Sequence, residues 1–450
     1  MRQVNRSVKI LGVLLAASLV AAACGTASTS STTTTSGASS SGGTDQASAP
    51  GITKTQILLG STQPLSGPAA PGYDEIAPGS NAVFQWVNAH GGIFGRKISY
   101  KYLNDEYDPP LTVPLTKQLI SLPMFADFDP LGTPTQVPVE GLLNSDKIPQ
   151  LFVASGCACW SNPSTYPWTF GWQPNYIIEG KILGSYVTAH FPGQDVGYVY
   201  QDDEFGQDGV KGLDQQISSH SVVGREPYSV AQLSAAAGLG SQVAALQAHK
   251  AKVVVLYTIP AATAEVLLAA AALHYHPQWV ISSVGSDVPT LTGLLATFSK
   301  GKAGAALLNG ILTAGYLPPF TDLQNPWIKL FKQIWQTYDS HNKFDGNTVY
   351  GLAVGWTMVE LLKMAGRNPT RQGLVSTLEN DGAMLSGPGL VPLSYSATDH
   401  YGYQGSEVSE ITNSAYKVVS PVYTAQNTGS VSTFSGTLHD TAPSFSNPGL

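Results

Sequence analysis

The feature that most constrains this chain is a regular alternation of short apolar runs with longer amphipathic stretches, beginning at Thr53. The runs "TQILLGST" and "KISYKYL" are predicted strands. The stretch "EIAPGSNAVFQWVNA" between them places Ile76, Val83 and Val87 on one helical face. Strands and helices in this order predict a parallel sheet with helices on both faces. The alternation continues to the strand "PQLFVA" and defines a first α/β unit.

A second series of strands and helices begins after "YPWTFGWQPN". It runs from the helix "YIIEGKILGSYVTAHF" through the strands "DVGYVYQ", "KVVVLYT" and "QWVISSV". A chain of 450 residues is long enough to build two hydrophobic cores. The sequence therefore predicts an α/β protein with two units, each with its own sheet.

The remainder of the chain is predicted to return to the first unit. A connector follows residue 303, and then two strong amphipathic or buried helices, "WIKLFKQIWQTYD" and "NTVYGLAVGWTMVELLKMAG". The stretch "SEVSEITNSAYKVVSP" is strand-like, and the chain after it becomes rich in Ser, Thr and Gly. We predict lobe 1 from 51–172 and 316–395, lobe 2 from 173–315 and 396–424, and a flexible tail at 425–450.

The N-terminus has the pattern of a signal peptide. Arg2, Arg6 and Lys9 precede an apolar run that ends in small residues before Cys24. This pattern resembles the lipobox of bacterial lipoproteins, in which cleavage leaves a diacylated cysteine at the new N-terminus. We expect residues 1–24 to be a lipoprotein signal peptide, with Cys24 as the lipidation site. A plain secretory signal that is cleaved nearby is the alternative.

The segment from Gly25 to Pro50 is a predicted tether. It is dominated by Ser, Thr and Gly and has no apolar periodicity, so it cannot bury a core. A flexible coil of this length has a root-mean-square span of about 25–30 Å. We therefore expect an extracytoplasmic domain that is anchored to the cell membrane as a lipoprotein.

Composition and motifs exclude several classes of function. The net charge is −7, with 23 Lys and Arg against 30 Asp and Glu and no basic cluster, so we expect no nucleic-acid partner. No phosphate-binding glycine loop and no nucleophile elbow is present. A hydrolase is therefore disfavoured, and we predict neither an enzyme nor a cofactor. His274 and His276 lack further metal ligands nearby, and Asp202–Glu204 is best explained as a solvated loop.

The stretch "PQLFVASGCACW" contains Cys157 and Cys159. Two thiols without a nearby His or carboxylate make an incomplete metal site, and their spacing differs from that of redox pairs. Two interpretations remain open: a tight disulfide or two small buried apolar residues. The nearby Trp160, Trp168 and Trp172 are either interlobe packing or an aromatic wall of a cleft.

Several motifs together resemble one family. They are "ILLGSTQPLSGPAA", "VNAHGGIFGRKI", "LNDEYDP" and "GYVYQDDEFGQD", and the similarity extends over residues 51–424. The sequence resembles the periplasmic binding proteins of the leucine/isoleucine/valine-binding family, which are the solute receptors of ABC importers. The resemblance implies two Rossmann-like, doubly wound lobes joined by a three-strand hinge, the type I fold of these proteins. It also implies a monomer whose partners are a small-molecule solute and ABC permease subunits in the membrane.

The resemblance also assigns ligand contacts in lobe 1. Thr133 matches the Ser or Thr whose hydroxyl and backbone hold the ligand carboxylate. Gly156, Cys157 and Ala158 match a segment whose backbone touches the ligand head, and small residues permit this close approach. Helix N-termini behind both loops favour an anion.

Four further positions complete the predicted binding site. Tyr73 and Phe205 match aromatic positions of the first and second lobes. The acidic residue that pairs with the α-ammonium in amino-acid receptors is replaced here by Val284. A family tyrosine is replaced by Ile259 or Pro260. The family's residues that bind the ligand carboxylate are thus retained in this chain, and those that bind the ligand ammonium group are not.

The sequence therefore predicts a lipid-anchored receptor that delivers a small carboxylate- or amide-bearing solute to an ABC importer by hinge closure. One alternative is a sensor on the same fold that signals through a partner protein. The other is a true branched-chain amino acid receptor, in which Asp287 or the acidic run Asp202–Glu204 replaces the missing carboxylate.

Overall fold

The computed structural model describes residues 45–234, 238–439 and 441–450. The predicted signal peptide, the lipidation site Cys24 and the tether up to residue 44 lie outside this part of the chain. Within it, no helix combines the length and the apolar character needed to cross a membrane.

The helices and strands alternate along most of the chain, as the sequence pattern predicts. The helices are α1 Ala70–Tyr73, α2 Ile76–Ala89, α3 Pro109–Ser121, α4 Thr133–Ser145, α5 Tyr176–His190, α6 Glu204–Asp214, α7 Gly240–Ala248, α8 Pro260–Ala272, α9 Val288–Phe298, α10 Pro326–Tyr338, α11 Gly346–Met364 and α12 Arg371–Asp381. The strands are β1 Gln56–Gln63, β2 Lys97–Asn104, β3 Ala126–Phe128, β4 Gln150–Val153, β5 Thr169–Gly171, β6 Val196–Gln201, β7 Val222–Tyr228, β8 Val253–Tyr257, β9 Gln278–Ile281, β10 Leu312–Gly315, β11 Gly405–Thr412, β12 Ala415–Val418, β13 Tyr423–Thr424 and β14 Ser432–Thr433.

The first sheet is parallel and has the order β2-β1-β3-β4-β5 in the described part of the chain. Its helical cover includes α11, which the sequence reaches only after the whole second sheet series. The Ser80 hydroxyl of α2 donates to the Gly351 carbonyl of α11 at 2.7 Å, where a glycine lets the two helices approach closely. The late helix α11 therefore packs on α2 beside the first sheet.

The second sheet runs in the order β7-β6-β8-β9-β10 and is parallel over these strands. Strand β11 then adds antiparallel to β10, followed by β13 and β14, and β12 pairs with the side of β11 as a hairpin. The sequence suggested only a connector after residue 303, but residues 312–315 form a strand of this sheet. Their buried apolar side chains and parallel pairing with β9 account for that difference.

The chain passes between the two sheets at three places, and each crossing segment contributes one large aromatic ring. Trp172, Tyr316 and Tyr403 pack together, with ring centroids 5.2 Å apart for Trp172–Tyr403 and 6.2 Å apart for each other pair. Trp172 thus belongs to the packing of the hinge. Trp160 is also buried and packs against Val153 and Cys157. We call the rings of Trp172, Tyr316 and Tyr403 the hinge cluster.

The segment after residue 424, for which the sequence predicts a flexible tail, makes defined contacts in the structure. Strand β14 pairs with β13. Further on, the Trp86 indole N–H donates to the Phe445 carbonyl at 2.8 Å, and the two rings stack with centroids 6.2 Å apart. The end of the chain therefore packs on α2 of lobe 1.

Asp127 in the middle of β3 should make the stability of the fold depend on pH. Burial raises the pKa of its carboxyl group to about 8, and a hydrogen bond from Gln150 opposes this shift. A raised folded-state pKa stabilises the fold fully below the unfolded value near pH 4, and the contribution is lost as pH rises through about 8.

We predict that Asp127→Asn flattens the fall in melting temperature between about pH 5 and about pH 8. The neutral amide removes one proton-linked group, which contributes a slope of up to about 1.4 kcal/mol per pH unit. Differential scanning calorimetry across this range measures the effect. The same substitution at exposed Asp146 is the control. Equal slopes for wild type and Asp127→Asn would contradict the prediction.

Candidate functional site

A cavity lies between the two lobes at the carboxyl ends of strands from both sheets. Its volume is about 70 Å³. Residues that follow β2, β3, β4, β6, β8 and β9 line it, which is the position where open α/β sheets bind ligands. We call this space the main cavity.

The walls of the main cavity are aromatic and uncharged. Its aromatic lining residues are Tyr73, Tyr107, Tyr176, Phe205, Tyr316 and Tyr350. Thr133, Gln173, Ser283 and Asn347 supply polar side chains. Among the described residues that line this space, none is Asp, Glu, Lys, Arg or His. The cavity is therefore suited to a small solute with an apolar body and a few hydrogen-bonding groups.

Thr133 lines the cavity at the first residue of α4. Its hydroxyl shares a hydrogen bond of 2.6 Å with the Ser155 hydroxyl at the end of the neighbouring strand. Gly132 precedes it with φ 107°, and a Cβ there would lie 2.6 Å from a ring carbon of Tyr107. Glycine thus allows the turn that aims the start of α4 at the cavity. The first N–H groups of a helix lack intrahelical partners and favour an anionic or carbonyl oxygen.

Tyr73 connects the two lobes across the cavity. Its hydroxyl donates to the Val284 carbonyl of lobe 2 at 2.9 Å. Burial raises the pKa of Tyr73 well above its ordinary value, so the group stays a neutral donor at physiological pH. Phe205 and Ile259 line the lobe 2 side, so the structure brings five of the predicted residues together: Tyr73, Thr133, Phe205, Ile259 and Val284.

The loop that carries Ser283 and Val284 is held by a buried carboxyl group that sequence reasoning missed. Glu179 on α5 accepts hydrogen bonds from the Ser283 N–H at 3.0 Å and from the Ser283 hydroxyl. Burial raises the pKa of Glu179 to about 7, and the two hydrogen bonds oppose this shift. Glu179 therefore positions the lobe 2 wall without lining the cavity.

The predicted segment Gly156, Cys157 and Ala158 does not line the main cavity. The Gly156 carbonyl accepts the Tyr176 N–H at 2.6 Å, and a Cβ at Gly156 would lie 2.4 Å from the Pro174 carbonyl oxygen. The small residue at 156 is thus required by the chain that crosses to lobe 2. The backbone N–H and carbonyl of Ala158 likewise form hydrogen bonds within the protein.

Cys157 and Cys159 are joined by a disulfide. The residue between them connects the lobes, since the Ala158 N–H donates to the Asp208 carboxylate on α6 at 2.7 Å. The Tyr401 hydroxyl donates to the Ala158 carbonyl at 2.8 Å. The disulfide loop is therefore part of the contact between lobe 1 and lobe 2.

The acidic residues considered as substitutes for the missing carboxylate have structural partners outside the main cavity. Asp203 caps α6 by accepting the Phe205 N–H at 3.0 Å. Asp287 caps α9 by accepting the Thr290 N–H at 3.0 Å, and it also accepts the Gly346 N–H of α11 at 3.0 Å. Neither lines the main cavity.

Comparison with known proteins agrees with this geometry. The profile of the periplasmic binding protein family matches residues 56–415. The chain belongs to this family. The match covers most of the folded chain and confirms the predicted resemblance. The family and the fold are those of extracytoplasmic solute-binding proteins.

Solved structures of periplasmic binding proteins share the fold at low sequence identity. A possible leucine/isoleucine/valine-binding protein from Rhodopirellula baltica has a TM-score of 0.71 at 20% identity, with 81% of this chain and 96% of that chain covered. A fatty acid ABC transporter substrate-binding protein from Thermomonospora curvata has a TM-score of 0.73 at 20% identity, with 84% and 95% covered. A branched chain amino acid ABC transporter protein from Thermus thermophilus with bound valine has a TM-score of 0.71 at 16% identity, with 83% and 97% covered.

Sequence reasoning missed several lining residues of this periplasmic binding protein. Tyr107 lies in the loop after β2, where the carboxyl-end rule could have singled it out. Tyr176, Tyr316 and Tyr350 lie at the hinge or at helix starts next to it. Their approach to the cavity depends on how the crossing segments pack, which no local pattern shows.

We predict that neither Cys157 nor Cys159 reacts with a thiol reagent in denatured, unreduced protein, because their sulfur atoms are bonded to each other. After reduction, both should be labelled. Mass spectrometry of the peptide containing residues 150–165 counts the adducts. The Cys157→Ser variant is the matched control and should show one labelled thiol without reduction. Labelling of both cysteines in unreduced wild type would refute the bridge.

Proposed function

We propose that this binding protein is a receptor anchored to the membrane through lipidated Cys24. It binds a small solute with a carboxylate or amide head in the main cavity and delivers it to an ABC importer by closing its two lobes. The observation that carries the proposal is the uncharged, aromatic cavity with Thr133 at the start of α4.

The chemistry of the cavity favours an oxygen head group over an α-ammonium. The Thr133 hydroxyl and the start of α4 offer hydrogen-bond donors to a carboxylate or amide oxygen. A buried ammonium without an anionic partner costs several kcal/mol, and the family's acidic position holds Val284 here. The head group is therefore expected near Thr133, with the apolar body against Tyr73 and Phe205.

The volume of the cavity limits the size of the solute in this closed arrangement. The main cavity has a volume of about 70 Å³. A single water occupies roughly 10–15 Å³ of such a volume. The space thus suits a solute of only a few non-hydrogen atoms. A larger solute, such as a branched-chain oxo acid, would require the lobes to open further.

Contacts between the lobes support closure by a hinge. The Tyr73–Val284, Ala158–Asp208 and Gly346–Asp287 hydrogen bonds each join a lobe 1 group to a lobe 2 group. None of the residues in these hydrogen bonds belongs to the hinge cluster. Opening would break them while leaving the hinge cluster packed, as hinge motion between domains requires.

The names of two structural relatives support the carboxylate head and the importer. One is named for fatty acids and the other holds valine, and both are described as parts of ABC transporters. Their ligands share a carboxylate group. The bound valine also favours a second candidate, a branched-chain amino acid receptor, which the calorimetric experiment below separates from the first.

We predict that 4-methyl-2-oxopentanoate binds more tightly than leucine, because only leucine brings an α-ammonium into the main cavity. Thr133→Val should weaken the binding of the oxo acid by roughly tenfold to a hundredfold, since one hydrogen bond to a charged group is lost. Isothermal titration calorimetry measures both effects, and Thr321→Val at an exposed position is the matched control. Tight leucine binding that Asp287→Asn abolishes would instead establish the amino acid receptor.

We predict that the mature chain begins at Cys24 and carries a diacylglycerol group. Intact-mass analysis of the protein extracted from membranes checks this, with Cys24→Ser as the control that should appear in the soluble fraction. A mature wild-type chain that starts elsewhere and is released from the membrane would contradict the lipid anchor.

A further inference from the structure

A second cavity adjoins the main cavity. It offers about 130 Å³ on the same measure, and it shares Ser283, Tyr316, Asn347 and Tyr350 with the main cavity as lining residues. Strands β10 and β11 and the start of α11 enclose it. We call this space the side chamber. It is larger than the main cavity and lies on its hinge side, so a solute could extend from one into the other.

Glu407 on β11 lines the side chamber. Glu407 is only 8% exposed. Among the described residues, no group donates a hydrogen bond to its carboxylate or forms an ion pair with it. Burial raises its pKa to about 7. A carboxylate that is partly removed from water and has no such partner loses favourable hydration, so this arrangement indicates a group that binds there.

A second carboxyl group lines the same chamber. Asp287 also faces it while accepting the Thr290 and Gly346 N–H groups. Among the described residues that line the chamber, none is Lys, Arg or His. The chamber thus carries two acidic groups and no cationic side chain to neutralise them.

Aromatic rings supply the remaining recognition chemistry. Tyr316, Phe320, Tyr350 and Tyr416 line the chamber, and the Phe320 and Tyr416 rings lie 6.3 Å apart, edge to face. Aromatic faces attract organic cations, and carboxylates pair with them. No group of three or more His, Cys, Asp or Glu residues in the described chain could hold a metal ion, which favours an organic ammonium.

We propose that the side chamber binds a protonated amine of the same solute whose carboxylate or amide head lies in the main cavity. This inference rests on the proposed receptor function and narrows the solute to a molecule with the two groups at opposite ends. Glu407 is the anionic partner of the amine, and the rings of Tyr316 and Phe320 flank it.

Gly315 leaves open space in the side chamber beside Glu407, where the amine would bind. It pairs directly with Glu407 across β10 and β11. A Cβ built on Gly315 meets no atom within 4 Å, and its backbone conformation is open to other residues. A valine at this position would therefore occupy the chamber next to Glu407 without backbone strain.

The test compares ω-aminoamides that have two to five methylene groups with the parent amides that lack the amine. Butylammonium chloride serves as an amine that lacks the amide group. In calorimetry at neutral pH, we expect at least one ω-aminoamide to bind tenfold or more tightly than its parent amide. Glu407→Gln and Gly315→Val should each abolish this advantage and leave the affinity for the parent amide unchanged. Glu410→Gln on the same strand is the matched control. Thermal unfolding checks that each variant is folded.

The outcomes separate this inference from the proposed function. An advantage of the amine that persists in both Glu407→Gln and Gly315→Val would overturn the side chamber as its site. The absence of any advantage in wild type would overturn it as well. If no amide binds but butylammonium does, and Glu407→Gln abolishes its binding, the proposed head-group site fails while the cation site in the side chamber stands.

Discussion

The packing of Trp172, Tyr316 and Tyr403 is the interaction on which the rest of this structure depends. Each ring comes from a different segment that crosses between the lobes, so their contact places the two sheets relative to each other. The Trp172 indole N–H is anchored on lobe 1 by the Thr357 hydroxyl at 3.1 Å. Rings of this size contribute large buried areas, and favourable ring pairs add to this burial. The hinge cluster thus fixes how the three crossing segments pack.

The same cluster builds the floor of the binding region. Tyr316 belongs to the hinge cluster and also lines both cavities. Tyr350 packs against Trp172 with centroids 4.9 Å apart and lines both cavities as well. A shift of the crossing segments would therefore change the shape of the site directly. This links the geometry of the hinge to the choice of solute.

Charge is distributed unevenly around the site, and the distribution has a physical consequence. The lining of the main cavity is uncharged in the described part of the chain. Among the acidic groups near it, Glu179 positions a wall and Glu407 faces the side chamber. An uncharged cavity does not stabilise a bare cation, whereas carboxylates and aromatic rings such as those of the side chamber do. In the function we propose, the two spaces together discriminate between solutes by the distance between their polar groups.

The sequence by itself determined the α/β alternation through local periodicity. Its resemblance to known periplasmic binding proteins gave the family and pointed to five residues that line the main cavity. Thr133 and Phe205 are examples, since each lies in or just after the loop that follows a strand, β3 for Thr133 and β6 for Phe205. The tertiary structure alone decided that Gly156 serves a crossing segment, that Tyr316 and Tyr350 reach the site, and that Glu407 faces Gly315 in a chamber. These residues meet across long stretches of chain, and their contacts depend on how two separately predictable lobes pack around three crossing rings.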